Sequence, residues 1–202
     1  MWSADEIRAA YTRIRAEVGP GVTVVAATKY ASVEDMQALA EAGVEVVGEN
    51  RAQDLLAKHG RYATVFRWHF IGHLQSRKAP LVSSLCELVH SLDSLSAARR
   101  LTVPALVEVN LAGEEAKAGV APGELGRFLA DVRELGVEVR GLMTMPPLAA
   151  DPERSRPYFR ELALLANEHG LAELSMGTTQ DYRVAAEEGA TLVRVGSALF
   201  GR

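Results

Sequence analysis

A lysine follows a short apolar run near the start of the chain, in the stretch VVAATKYAS at residues 24–32. Lys29 stands just beyond that run, where a buried strand would meet a loop. Most lysines in such places are ordinary solvated side chains. The alternative is an amine that forms an imine with a carbonyl compound, which requires an apolar site or a nearby cation to lower its pKa. We expect the adjacent Tyr30 to point away from Lys29, because neighbours on an extended segment alternate sides.

Two segments near the C-terminus have the composition of a phosphate site. Ser175, Met176 and Gly177 form the segment SMG, and Gly196 with Ser197 forms the second. Glycine lets the backbone approach a ligand closely, and N–H groups and hydroxyls can then hold phosphate oxygens. The alternative is that both segments only form turns.

The elements that would position these residues alternate regularly along the chain. Short apolar runs are separated by segments with helical spacing, which predicts a parallel sheet. The runs are TVVAAT (23–28), VEVVG (44–48), FRWHFI (66–71), ELVHS (87–91), PALVEVN (104–110), EVRGLMT (138–144), ELSM (173–176) and LVRVG (192–196). They predict a (β/α)8 TIM barrel with an extra N-terminal helix, as a single domain over residues 1–202. An open doubly wound sheet is the alternative, but it typically has a G-x-G-x-x-G turn after its first strand, and TKYAS has no glycine.

A barrel places its chemistry on the loops at the C-terminal ends of its strands. Lys29 would follow the first strand, and the two glycine-serine segments would follow the last two strands, where barrels often bind phosphate. All three would then lie on one face. An imine-forming lysine opposite a phosphate site suggests a phosphorylated aldehyde or ketone, either pyridoxal 5′-phosphate (PLP) or a sugar phosphate.

Two histidines have a spacing that would suit zinc on a helix. His69 and His73 are four residues apart, but they straddle a predicted strand end and Gly72. The pattern offers no third ligand. We therefore predict no metal site.

Composition excludes several classes of protein. The chain has 202 residues, a formal net charge of −4 and a pI of about 5.8, whereas a general nucleic-acid binder is usually basic. No apolar run approaches the roughly 18 residues of a membrane span. A single cysteine, Cys86, excludes an internal disulfide. These features together predict a cytoplasmic protein that binds neither nucleic acid nor membrane.

Longer motifs are similar to those of a known family. They are ATKY, GEN at 48–50, WHFIGHLQSRK at 68–78, VHSLDSL at 89–95, GEEAKAG at 113–119, RGLMTM at 140–145, SMG at 175–177 and EEGATLVRVGSALFGR at 187–202. They closely resemble the pyridoxal phosphate homeostasis protein family, which is related to the N-terminal barrel of alanine racemase. The resemblance covers residues 22–202. The chain departs from the family in having SMGTTQD where SMGMSDD is common, and GEEAKAG where GEESKSG is usual.

The resemblance implies that PLP is bound as an imine on Lys29. It implies phosphate contacts from the last two strand ends, which carry Ser175, Met176, Gly177, Gly196 and Ser197. Asn50 and His73 are expected near the cofactor, and Arg194 is expected near the pyridine nitrogen.

The resemblance also implies a role in PLP homeostasis without established catalytic turnover. The protein would carry or buffer PLP, influence amino-acid and keto-acid metabolism, and have apo PLP-dependent enzymes as recipients. An arginine partner such as Arg194 would keep the pyridine nitrogen unprotonated, which weakens the ring as an electron sink. Racemases take a second acid/base tyrosine from an extra domain of a partner subunit. The sequence ends at Arg202, directly after the phosphate segment, so we expect that domain to be absent and the protein to be a monomer.

Three alternatives stay open. A PLP-dependent, amino-acid racemase-like enzyme would use Lys29 on one face of its substrate. A sugar-phosphate aldolase would need acid/base carboxylates, and only Glu49 and Glu108 lie near the strand ends. Lys117, after the fifth strand, is either a second transient imine site during PLP transfer or a solvated loop lysine.

Overall fold

The chain folds into a closed barrel of parallel strands. The computed structural model describes residues 2–114 and 118–201. The strands in these ranges are β1 (Thr23–Ala27), β2 (Val46–Glu49), β3 (Arg67–Phe70), β4 (Leu88–Leu92), β5 (Ala105–Glu108), β6 (Val139–Met143), β7 (Glu173–Thr178) and β8 (Leu192–Val195). Each strand pairs in parallel with the next along the chain, and β8 pairs with β1. The predicted (β/α)8 TIM barrel is confirmed, and this closure excludes an open sheet.

Helices surround the barrel. Those in the described ranges are α1 (Ala4–Val18), α2 (Asp35–Glu41), α3 (Ala52–Tyr62), α4 (Ala79–Leu85), α5 (Leu95–Ala98), α6 (Leu125–Glu134), α7 (Arg156–Glu168) and α8 (Tyr182–Glu187). The predicted extra helix is α1, which precedes β1 and buries Ile7, Ile14 and Val18. Across residues 2–114 and 118–201, no helix combines the length and apolar character needed to cross a membrane.

Two apolar cores hold the strands in place. The barrel interior is filled by a cluster of aliphatic side chains and one thioether, namely Val25, Val46, Leu88, Leu106, Met143 and Leu192. A larger cluster, which includes Phe70 and Phe159, fills the layer between the strands and the helices. Full burial of one such side chain stabilises the fold by about 1.5–3 kcal/mol. Most of the interior cluster comes from the first half of its strands, so polar residues can occupy the C-terminal mouth.

One interior position requires glycine because two side chains approach it closely. A Cβ on Gly48 would lie 2.9 Å from both Ile71 Cδ1 and Val25 Cγ1. Val25 is fully buried inside the densely filled barrel, so its side chain has no room to move away. The absence of a side chain at Gly48 therefore lets β1, β2 and β3 converge beneath the C-terminal mouth.

The strand ends differ by a few residues from those predicted, and one difference matters for the site. The seventh apolar run was predicted at 173–176, but β7 continues to Thr178 because Thr178 is paired in register with Arg194 on β8. The fifth run was predicted at 104–110, whereas β5 ends at Glu108. Hydroxyl-bearing residues just after SMG thus lie beside Arg194.

Candidate functional site

A cavity of about 370 Å³ opens at the C-terminal end of the barrel. Its walls contain some of the residues that the sequence predicts, namely Lys29, Asn50, Arg194, Gly196 and Ser197. Residues that were not predicted also line it, namely Ala27, Tyr30, Ile71, Met145, Leu148, Thr178, Thr179 and Gln180. Among the described residues the wall has two cationic side chains and no carboxylate. That charge balance suits an anionic ligand.

Lys29 lies in the turn after β1, at the cavity wall. It is exposed, and its Nζ lies 4.8 Å from the centre of the Tyr30 ring. The expectation that Tyr30 points away from Lys29 is wrong. Strand β1 ends at Ala27, and residues 29–30 form a turn, so the alternation of an extended segment does not apply there. The ring face of Tyr30 instead holds the ammonium group over the cavity.

A capping box holds the chain just after this turn. The Asp35 backbone N–H donates to Ser32 Oγ at 3.2 Å, and the Ser32 backbone N–H donates to Asp35 Oδ2 at 2.9 Å. Such reciprocal bonds satisfy two N–H groups at the start of a helix. They connect the exposed turn of Lys29 firmly to helix α2.

A buried ion pair supports the strand end beneath Lys29. Lys58 of α3 donates from Nζ to the Thr28 carbonyl at 2.7 Å and forms an ion pair with Glu49. The Thr28 hydroxyl donates to the same carboxylate oxygen. Glu49 is fully buried on the outer side of the barrel and does not line the cavity. Its role is therefore to hold the ends of β1 and β2, and it is not placed to act as the acid/base carboxylate of an aldolase.

Hydroxyls and backbone amides form the opposite wall. The Thr179 Oγ1 accepts from the backbone N–H of Gly196 at 3.2 Å and from that of Ala198 at 3.4 Å. Asp181 accepts from the Thr178 N–H at 2.7 Å, which fixes the turn after β7. Ser197 lies in the turn after β8 and lines the same wall. We call Thr178, Thr179, Gly196 and Ser197 the hydroxyl wall. The Thr178 hydroxyl also donates to Asp181, at 3.1 Å, so the hydroxyls of Thr179 and Ser197 are the donors that fit a phosphate group.

The segment SMG supports this wall from behind and does not line the cavity. Ser175 is fully buried, and its hydroxyl is hydrogen-bonded to Arg194 and His90. Met176 is buried in the outer core. Gly177 has a φ of +88°, and a Cβ there would lie 2.5 Å from that of Ala185. The sequence drew attention to SMG, whereas the two hydroxyls of the following TT reach the cavity.

Arg194 forms the floor of the cavity and is 5% exposed. Its Nη1 donates to the Ser175 carbonyl at 2.9 Å, and its Nη2 donates to the Thr144 carbonyl at 2.9 Å and to Met145 Sδ at 3.0 Å. Burial lowers the pKa of Arg194 to about 10, and the Glu108 carboxylate opposes that shift. The guanidinium therefore remains charged at neutral pH and keeps a fixed orientation.

Glu108, the other carboxylate considered for an aldolase, is also absent from the described cavity wall. Burial raises its pKa, and the nearby Asp93 carboxylate adds to that rise. The geometry therefore gives an aldolase no carboxylate at the cavity wall among the described residues.

His73 lies apart from the cavity wall. It is exposed, and its Nδ1 is 3.6 Å from Asp93 Oδ2. His69 points into the barrel interior and bonds to His90, so the two histidines that are four residues apart do not converge. Among the described residues, no group of three His, Cys, Asp or Glu could hold a metal ion. Lys117 lies outside the described residues.

The chain is similar in sequence to a family of known proteins. Residues 3–202 match the family model described as the alanine racemase N-terminal domain. The pyridoxal phosphate homeostasis protein of Aquifex aeolicus is 40% identical over 195 residues, covering 88% of this chain and 86% of that protein. The protein of the same name from Deinococcus radiodurans is 40% identical over 189 residues, covering 89% and 88%.

The fold of the chain is also similar to that of solved structures. PipY of Synechococcus elongatus, solved with PLP bound, is 31% identical, with a TM-score of 0.87 over 96% of this chain and 100% of that one. The lysine/ornithine decarboxylase of Vibrio vulnificus has a TM-score of 0.74 at 15% identity, over 98% of this chain and 62% of that one, which shows a shared fold alone. The extent of these matches shows that the chain belongs to the pyridoxal phosphate homeostasis protein family, within the class of the alanine racemase N-terminal domain.

Proposed function

We propose that the protein binds pyridoxal 5′-phosphate and acts in PLP homeostasis as a carrier or buffer. One observation carries the proposal. A single cavity brings together the exposed amine of Lys29, the fixed guanidinium of Arg194 and the hydroxyl wall, and its wall has no carboxylate among the described residues. PipY, solved with PLP bound, and the relatives named for PLP homeostasis support it.

The donor set fits each end of PLP. Lys29 would bind the aldehyde as a Schiff base, and the hydroxyl wall would hold the phosphate. Arg194, on the floor between them, would approach the pyridine nitrogen, and Asn50 lies at the same wall. When bound, PLP supplies an electron sink for amino-acid chemistry. A cationic partner at its ring nitrogen weakens that sink, which favours storage of the cofactor over turnover.

The test is to locate the modified lysine in protein loaded with PLP. Borohydride reduction followed by peptide mass spectrometry should place the cofactor on Lys29. Modification of Lys58 or Lys78 instead would contradict the assignment of Lys29. Absence of any covalent PLP would contradict the proposed binding mode.

Transfer is the second part of the proposal. A carrier should pass PLP to an apo PLP-dependent enzyme faster than free dissociation into solution allows. Recovery of the recipient's activity should therefore outpace the loss of PLP from the protein into a trap such as a small hydrazine. Equal rates would support a passive buffer and reject a direct carrier.

A racemase-like enzyme is a second candidate function, because Tyr30 brings another group able to transfer a proton to the cavity of Lys29. Lys29 and Tyr30 are both at the cavity wall, and each can hold or release a proton at its terminal atom. Racemisation needs one such group on each face of the substrate, and two neighbours in one turn do not by themselves provide that arrangement. Lys29-dependent solvent-deuterium exchange at the α-carbon of an amino acid would support this activity. Absence of exchange across a panel of amino acids would reject it.

We further propose that residues 1–202 act as one PLP-binding domain and that the protein is a monomer in the cytoplasm. The barrel closes between β1 and β8 within this single chain, and all described parts of the cavity wall come from it. Size-exclusion chromatography with light scattering should give the mass of one chain. A mass of two chains would contradict the monomer.

A further inference from the structure

A hydrogen-bonded chain of side chains crosses the barrel interior. It begins at Glu87, whose Oε1 lies 3.0 Å from His69 Nε2. His69 Nδ1 lies 2.9 Å from His90 Nε2, and His90 Nδ1 lies 2.8 Å from the Ser175 hydroxyl. Arg194 donates from Nη1 to that same hydroxyl. We call Glu87, His69, His90, Ser175 and Arg194 the barrel relay; all but Glu87 are buried.

The chemistry of its two ends sets the direction of every bond in the relay. The guanidinium of Arg194 can only donate, and the ionised carboxylate of Glu87 can only accept. Ser175 accepts from Arg194. A neutral His69 that donates to Glu87 must accept from His90 at Nδ1, and a neutral His90 must then accept at its own Nδ1 from the Ser175 hydroxyl. His90 then donates from Nε2 to His69, which donates from its own Nε2 to Glu87. Every link is satisfied when both imidazoles are neutral and carry their proton on Nε2.

The acceptor end of the relay opens into a separate cavity of about 190 Å³ at the N-terminal end of the barrel. The Glu87 side chain is 41% exposed and forms an ion pair with Arg67 at 2.7 Å. The other charged groups that face the relay are Arg140 and Glu173 in this cavity, and Glu108 and Asp181 near Arg194. The relay thus connects solvent at one end of the barrel with the floor of the PLP cavity at the other.

The surroundings of Glu87 and of His90 favour the charge states that the relay needs at those two residues. The hydrogen bond from His69, aided by Arg67, lowers the pKa of Glu87 to about 2, so the carboxylate is ionised at neutral pH. Burial, together with the charge of Arg194, holds the pKa of His90 well below its ordinary value. A neutral His90 is what the directed chain of bonds requires.

We propose that His90, with His69 and Glu87 behind it, is a positioning residue for Arg194, and that the relay conveys the charge of Glu87 to the PLP cavity. This inference rests on the proposed function, because the relay acts on Arg194, and Arg194 would face the cofactor. The carboxylate makes each successive acceptor along the relay more basic, so Ser175 holds the guanidinium more tightly. Hydrogen bonds in a low-dielectric interior polarise one another, which carries this effect along the buried links.

The first test uses the full chain without PLP and requires no bound cofactor. Nitrogen-15 NMR of the imidazole side chains should show His69 and His90 neutral, each with its proton on Nε2, at neutral pH. His59 and His169, which are outside the relay, provide reference spectra. A charged imidazole, or a proton on Nδ1 of either relay histidine, would overturn the proposed direction of the bonds.

The second test uses PLP-loaded protein and compares two variants of the same cavity. Glu87→Gln keeps an oxygen acceptor for His69 but removes the charge, and its half-exposed position favours correct folding. Glu173→Gln removes a carboxylate from the same cavity outside the relay, so it measures the field through space alone. The pH midpoint of the imine absorption band should fall by about half a unit in Glu87→Gln, because loss of a negative charge disfavours the protonated form. Glu173→Gln should show a much smaller shift.

Two further outcomes separate this inference from the proposed function. Equal midpoints in wild type, Glu87→Gln and Glu173→Gln would overturn the relay and leave PLP binding intact. Absence of an imine band in the wild type would reject the proposed binding mode, and the NMR result on unloaded protein would then decide the relay by itself.

His90→Gln, which interrupts the middle of the relay, should move the midpoint in the same direction as Glu87→Gln, and an unchanged midpoint would also overturn the proposal.

Discussion

The two ends of the barrel carry opposite arrangements of charge. At the N-terminal cavity the arginines have carboxylate partners: Arg67 pairs with Glu87 at 2.7 Å, and Arg140 pairs with Glu138 at 2.7 Å. At the C-terminal cavity, Lys29 and Arg194 line a wall that has no carboxylate among the described residues. Arginines that are paired with carboxylates attract an anionic ligand weakly, whereas cations that face a cavity wall without carboxylates can attract a phosphate. The difference supports the proposal that the C-terminal end of the barrel binds the ligand, independently of any motif.

The largest expected effect comes from removing the amine of the C-terminal cavity. Lys29→Ala should abolish covalently bound PLP and its imine absorption band, because no other lysine lines the described cavity wall. Lys78→Ala, in the turn before α4, is the matched control and should keep the band. Retention of covalent PLP by Lys29→Ala would contradict the proposal that the C-terminal cavity binds PLP through Lys29.

A second prediction concerns the ion pair beneath the C-terminal cavity. Lys58→Met should lower the free energy of unfolding by about 3–5 kcal/mol, because it leaves the fully buried Glu49 carboxylate without its cation. Urea denaturation followed by circular dichroism measures the change. The double variant Glu49→Gln with Lys58→Met should recover part of the loss, since it removes the uncompensated charge. A double variant no more stable than Lys58→Met would contradict this explanation.

The hydroxyl wall should have a smaller effect, on affinity. Thr179→Val keeps the shape of the side chain but removes the hydroxyl that would donate to the phosphate. It also removes the acceptor that orients the Gly196 and Ala198 amides. Loss of about 1.4 kcal/mol, the scale of one or two hydrogen bonds, would weaken PLP binding about tenfold. Titration of PLP by absorbance measures the Kd, with the exposed Thr64→Val as control. An unchanged Kd would show that Thr179 is not part of the phosphate site.

The smallest effect is expected at the N-terminal cavity and depends on pH. The pKa of Glu87 is lowered from 4.5 to about 2 by its hydrogen bond to His69 and its partner Arg67. A lowered folded-state pKa means that Glu87 stabilises the fold above about pH 4.5 and that this contribution is lost as the pH falls towards 2. Glu87→Gln should therefore lose stability less steeply between pH 4.5 and 2, as measured by thermal unfolding. Identical slopes would show that this ion pair contributes nothing.

The fold was predictable because its pattern repeats along the whole chain. Each apolar run is a strand covered on both faces, and such strands stay apolar throughout whichever neighbours they have. The strand limits were less predictable. The seventh run was predicted to end at residue 176, but β7 ends at Thr178. The extra length comes from the pairing of Thr178 with Arg194, a residue of another strand.

The candidate site was predictable only in part. Lys29, Asn50, Arg194, Gly196 and Ser197 reach the cavity wall, because each follows or lies within the C-terminal part of a strand. Ser175 has the chemistry of a phosphate ligand, but its side chain turns inward to His90. Tyr30 reaches the cavity because β1 ends before it. Motif residues identify a strand end. Whether a side chain there points into the cavity depends on the residue at which the strand stops pairing with its neighbours.

The sequence by itself determined the barrel, the lysine after its first strand and the family, because periodicity and motifs are local properties of the chain. Only the tertiary structure decided which side chains meet. Glu87 and Arg194 are far apart in sequence, and three buried residues from β3, β4 and β7 join them. Closure of the barrel brings those strands around one interior, and the polar groups enclosed there must find hydrogen-bond partners in one another.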